Sequence, residues 1–131
     1  MRLFLLTSAI LGATALAGAA QAATCRGEAP SDAAAIRGPV LHVLDGRTLC
    51  VALGPDPASW VPVRLTDVVE RASTGTLGRE TLMAASFGQD VTCRIVGRDG
   101  DALLGECEAA AGSVGGLTRK TSIVAAGRDW R

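Results

Sequence analysis

The residues of this chain best suited to chemistry are a few arginines and carboxylates gathered around two short strand-like segments. Arg47 lies within Val43-Leu44-Asp45-Gly46-Arg47-Thr48-Leu49-Cys50-Val51, and Arg64 lies within Val63-Arg64-Leu65. A guanidinium presents its donors as a planar fork, so Arg64 can grip a phosphate through two parallel hydrogen bonds. Arg47 cannot ligate a divalent cation, because such ions take hard anionic oxygens and a guanidinium has no acceptor. Asp45, Asp67 and Glu70 supply carboxylates nearby, and Arg98 stands beside Asp99-Gly100-Asp101. His42 is the single histidine, and no motif pairs it with a Ser or Cys nucleophile. Arg119, Lys120, Arg128 and Arg131 make the terminal region modestly basic, as a solvated helix face does.

Cysteines occur at 25, 50, 93 and 107, with no C-x-x-C among them. With one histidine, these spacings argue for two disulfides rather than zinc, and disulfides imply an oxidising compartment. Val91, Cys93 and Ile95 alternate along one strand, and Leu103, Gly105 and Cys107 along the next. A three-residue loop at Asp99-Gly100-Asp101 sets Cys93 opposite Cys107 on one face. Cys25 is then left to pair with Cys50.

The first residues read as a targeting segment. Arg2 supplies a basic start, Leu3 to Leu16 is an apolar run, and Ala20-Gln21-Ala22 has the small-x-small form of a cleavage site. Residues 1–22 are therefore expected to be a secretory signal peptide. The run is short for a membrane span, so no membrane association is expected after cleavage. Removing 22 of 131 residues leaves 109, enough for one small domain that is expected to be a monomer, secreted or periplasmic. Loss of Arg2 leaves 12 basic against 13 acidic residues, so no global charge attracts phosphate backbones. Trp60, Phe87 and Trp130 are the remaining aromatics and there is no Tyr, a poor stock for stacking on bases.

Residues 23–38 read as an extended, polar lead-in, and the domain as 39–131. Strands are expected at Val40–Leu44 and Thr48–Leu53 about the Asp45-Gly46 turn. A third is expected at Trp60–Leu65, where Pro62 must turn its missing N–H to an edge or bulge. Thr76 to Phe87 has helical spacing, with Thr76 as a candidate N-cap, Leu82, Met83 and Phe87 on one side, and Gly88 as the stop. Strands Asp90–Val96 and Leu103–Ala109 follow. Ala110–Gly116 reads as flexible linkage, and Thr118–Ala126 as a closing helix ended by Gly127. Three strands, a helix, two strands and a helix predict an α+β fold: a five-stranded barrel of the oligonucleotide/oligosaccharide-binding (OB) type with about two helices and two disulfides.

The ordered series V-L-D-G-R-T-L at 43–49, V-R-L at 63–65, Phe87-Gly88 before Val91-Thr92-Cys93, D-x-x-x-L-L-G at 99–105, and Ile123 to Trp130 resembles the thermonuclease (staphylococcal nuclease-like) family. The resemblance covers roughly Val40 to Trp130. It implies the barrel and, for active members, calcium-assisted hydrolysis of phosphodiesters in DNA or RNA. It also implies a cysteine pair on the second hairpin, similar to Cys93 and Cys107. Arg64 matches the family's first catalytic arginine. Arg47 stands where active relatives carry a calcium-binding Asp, and Ala102 stands at the second catalytic arginine, with Arg98 across the turn. Asp67 and Glu70 reach the family's second metal-binding Asp and general-base Glu only if two residues are deleted; otherwise those positions fall on Val69 and Ala72. A surface arginine and a solvated loop carboxylate are the plain readings of Arg64 and Glu70.

The expectation that follows is a thermonuclease-like barrel with a degenerate calcium and catalytic site, acting as a binding or interaction module. Asp45, Arg47 and Arg98 would contact an anionic ligand such as nucleic acid, with no cofactor. The enzymatic alternative is a weak or divergent nuclease using Arg64 and Glu70, with calcium required only in that case. The third alternative is a structural periplasmic protein without nucleic-acid contact.

Overall fold

The computed structural model describes residues 25–68 and 75–120. The expected signal peptide, Glu70 and the chain from 121 onward lie outside the described residues.

Six strands form one sheet in the order β3-β2-β1-β4-β5-β6, and an additional β3–β5 pairing closes the first five into a barrel. They are β1 (Ala35–Val43), β2 (Thr48–Ala52), β3 (Trp60–Leu65), β4 (Asp90–Asp99), β5 (Ala102–Ala109) and the short β6 (Gly112–Ser113). Helix α1 (Gly75–Ser86) connects β3 to β4, and the chain is helical again over 114–120, here called α2. This is the expected OB-type barrel of the α+β class, with both expected disulfides, Cys25–Cys50 and Cys93–Cys107.

Strand β1 starts at Ala35, five residues before the expected Val40. It is long because it serves two partners. Ala35 to Pro39 pair with β4, and Val40 to Val43 pair with β2 after a bulge between Val40 and His42. Ile36, Gly38 and Val40 turn inward while Ala35 and Arg37 turn out. Gly38-Pro39 breaks the apolar alternation, which is why this half of the strand is hard to read from sequence. The lead-in is accordingly shorter than residues 23–38.

The core is built from the inward residues of β1 to β5. Val40, Val43, Leu49, Val51, Val61, Val63, Leu65, Val91 and Leu103 cluster there with Cys93 and Cys107, while Leu82 of α1 and Val114 of α2 join the same cluster. Each fully buried side chain of this size contributes roughly 1.5–3 kcal/mol relative to exposure. Phe87, expected beside Leu82, is instead 54% exposed. Thr76 lies inside α1 rather than before it, since the helix begins at Gly75. Gly88, at φ 75°, ends the helix as expected.

Cys93 lies opposite Cys107, as expected, but by a different route. Asp99 pairs with Ala102 across a two-residue turn, and a bulge between Ile95 and Gly97 restores the register one residue later. Gly100 occupies the turn at φ 60°, a conformation that costs other residues dearly. Pro62 fulfils its expectation. Leu65 N–H donates to Arg47 O on the β2 side, so by alternation Pro62 faces away from β2, beyond the first β3–β5 pair at Val63.

Residues 110–116 are not linkage. Glu108 pairs with Ser113 in β6, and α2 begins at 114 with the Ser113 hydroxyl accepting from Gly116 N–H, an N-cap contact. Val114, fully buried, anchors this turn.

Replacing both Cys25 and Cys50 by Ala is expected to lower unfolding free energy by about 3 kcal/mol, since the bridge closes a loop of 25 residues. Urea denaturation checks this; an unchanged midpoint would contradict it.

Candidate functional site

The β1–β2 connection, Leu44-Asp45-Gly46-Arg47, is closed by Leu44 N–H donating to Thr48 O. Asp45 Oδ1 accepts from both Arg47 N–H and Thr48 N–H at 2.8 Å. That carboxylate oxygen is spent on holding its own loop, as Asp side chains in turns commonly do. Asp45 therefore shapes the site rather than offering this oxygen to a ligand. The loop carries Arg47 to the end of β2, where its carbonyl accepts from Leu65 N–H at 2.7 Å.

Arg64 enters from β3. Its register partner on β2 is Thr48, next to Arg47, so the two arginines are carried on adjoining strand ends. Alternation directs Val63 and Leu65 inward and Arg64 outward. The Arg64 guanidinium (Nη1) donates to Asp99 Oδ2, with both side chains about half exposed. Asp99 was not among the residues that the sequence singled out, although it begins the D-x-x-x-L-L-G segment. Ala102 pairs with Asp99 across the turn.

Arg98 does not join this pair. Neighbouring strand residues point to opposite faces, and Arg98 Nη2 donates instead to Ala29 O and Pro30 O, both at 3.1 Å. Its role is to hold the amino-terminal segment, a contact that has no signal in the order of residues. That segment is bound along β3 by Arg26 N–H to Pro57 O and Gly27 N–H to Trp60 O. Cys25 fastens it to Cys50, which alternates away from the inward Leu49 and Val51. The segment thus runs along the edge of β3 that faces away from β2 and is tied to β2 through Cys25–Cys50. What remains open beside it is a groove of ≈ 650 Å³ lined by Arg26, Glu28, Ser31, Pro62, Arg98 and Asp101.

Asp67 follows β3 and turns towards α2. Its carboxylate stands so close to Gly115 that a side chain at 115 would collide with it. Arg119 Nη1 donates to the Asp67 backbone carbonyl at 2.9 Å. Among the described residues, Asp67 Oδ1 is buried and accepts no hydrogen bond. Burial raises the Asp67 pKa, its own N–H opposes that, Glu106 raises it further and Arg119 lowers it. His42 is held below its usual value by burial and then by Arg79. Among the described residues, no three His, Cys, Asp or Glu side chains are grouped to hold a metal ion. Glu70 cannot be added to this set, because it lies outside the described residues.

The chain matches no protein-family model and no curated protein.

A carboxyl group whose folded pKa is raised stabilises the fold only while protonated, so that contribution fades as pH rises through the folded value. Asp67→Asn is therefore expected to raise the melting temperature at pH 7, with the gain disappearing below the ordinary carboxylate range. Thermal scans from pH 3 to 8 measure it; a constant difference across that range would refute the assignment.

Proposed function

We propose that this protein is an exported, thermonuclease-like barrel that has lost the calcium-dependent site and acts as a non-catalytic binding module for a phosphate-bearing ligand, single-stranded nucleic acid being the leading candidate. One observation carries the reading: Arg47 stands at the loop position where a hydrolytic relative would need a carboxylate, and the half-exposed Arg64 lies one register step away on β3. The donor set does not suit calcium. Asp45 Oδ1 is committed to its loop, Asp67 is turned to α2, and a guanidinium occupies the loop position. Cations in that arrangement favour an anion.

Export is supported by the basic-apolar-small start of the chain and by two disulfides. Among the described residues, no helix is long and apolar enough to cross a membrane. Weak affinity is in keeping with a net charge near zero and few aromatic side chains. Hydrolysis would lack both a metal ligand at Arg47 and an arginine at Ala102. Loss of one transition-state donor alone commonly costs about 10² to 10³ in rate.

Fluorescence polarisation of a labelled single-stranded oligodeoxynucleotide at low salt tests this reading. Saturable binding is expected, weakening with salt at a log–log slope of about −1.4 for two neutralised phosphates, and Arg64→Ala is expected to bring that slope to about −0.7. No cleavage is expected with added calcium. Robust cleavage that a chelator abolishes would refute the reading, and so would the absence of saturable binding.

A further inference from the structure

Resting on that reading, we infer that Asp99 is a built-in competitor for the ligand: its carboxylate occupies the Arg64 guanidinium in the free protein and must be displaced before a phosphate can be held there. Three charge pairs decorate the described surface, and this one differs from the others. Arg94–Glu106 joins direct register partners on β4 and β5, and Arg37–Asp90 joins near neighbours on β1 and β4. Arg64 has Leu104 as its register partner on β5, yet its guanidinium reaches past that strand to the β4–β5 turn, 35 residues away in sequence. Pairing along the strands does not require this contact. The turn geometry supplies it, because Gly100 reverses the chain immediately after Asp99.

A carboxylate and a phosphate offer a guanidinium the same kind of paired oxygen acceptors. Asp99 is thus a chemical likeness of the proposed ligand, held in reach by its turn. The side chains are 41% and 56% exposed, so water and solutes reach the pair and it can open without unfolding the barrel. Arg98 offers no substitute grip beside Arg64, because it projects from the opposite strand face to Ala29 and Pro30. An internal competitor lowers apparent affinity by the fraction of molecules in which the site is open. For an exposed pair of ordinary strength, that fraction corresponds to about a two- to sixfold loss. The arrangement selects against singly charged carboxylates, which gain little by the exchange, and favours ligands carrying more charge per site.

The test is calorimetric titration of the protein with inorganic pyrophosphate. Asp99→Asn is expected to bind about two- to sixfold more tightly than the natural sequence. Asp99→Asn combined with Arg64→Gln is expected to lose the gain. Asp90→Asn, which removes the same charge at the other end of β4, is expected to change affinity less than twofold. Asp99→Ser repeats the experiment with a small turn residue, and circular dichroism confirms folding of each variant. An unchanged or weaker affinity in both Asp99 variants would overturn the inference, as would a gain that survives loss of Arg64. If the natural protein binds oligonucleotide but the Asp99 variants gain nothing on pyrophosphate, the competitor falls and the binding reading stands. If the variants gain on pyrophosphate while oligonucleotide is not held, the competitor stands and the nucleic-acid reading falls.

Discussion

A short parallel seam between β3 and β5 closes the barrel. Three register pairs, Val63 with Leu103, Arg64 with Leu104 and Leu65 with Gly105, convert an open sheet into a barrel. Without them Val63, Leu65 and Leu103 would not share a core, and the β4–β5 turn would not overhang Arg64. Such pairing joins segments about 40 residues apart, so its ordering cost is met only when α1 and β4 have already been laid down. Gly105 belongs to this economy of space: the β4 carbonyl of Arg94 comes so near that no side chain fits there.

The barrel was legible because its strands carry period-two apolar patterns, and because the cysteines fall at equal distances from a strong turn. Legibility failed where several partners share one element. Strand β1 hides its first half because Gly38 and Pro39, which pair with Val91 and Asp90, look like loop residues. Residues 110–116 look flexible from composition, yet a buried Val114 and a Ser113 cap are enough to start a helix there. The hairpin register came out right although its turn has two residues rather than three, since a bulge compensates. Periodicity fixes which face a residue occupies, not how the intervening backbone arrives at it.

For the candidate site, sequence order identified Arg47 and Arg64 but not the side chains that answer them. Asp99 and the carbonyls of Ala29 and Pro30 are distant in the chain, and only closure brings them to an arginine. Asp67 shows the same limitation in reverse. Its proximity in sequence to Arg64 suggests a shared site, whereas in space it belongs with Gly115, Glu106 and Arg119. Side-chain alternation along β3 and the bend after Leu65 separate what the sequence places together.

The two bridges are formed by consecutive cysteines, the first with the second and the third with the fourth. A chain threading into an oxidising compartment amino-end first presents its thiols in that same order. Each newly arrived partner therefore finds only its proper mate waiting. On the proposed export route, oxidation would need no reshuffling of mispaired sulfurs, and the lead-in would be fastened to β2 before β5 arrived to shut the seam.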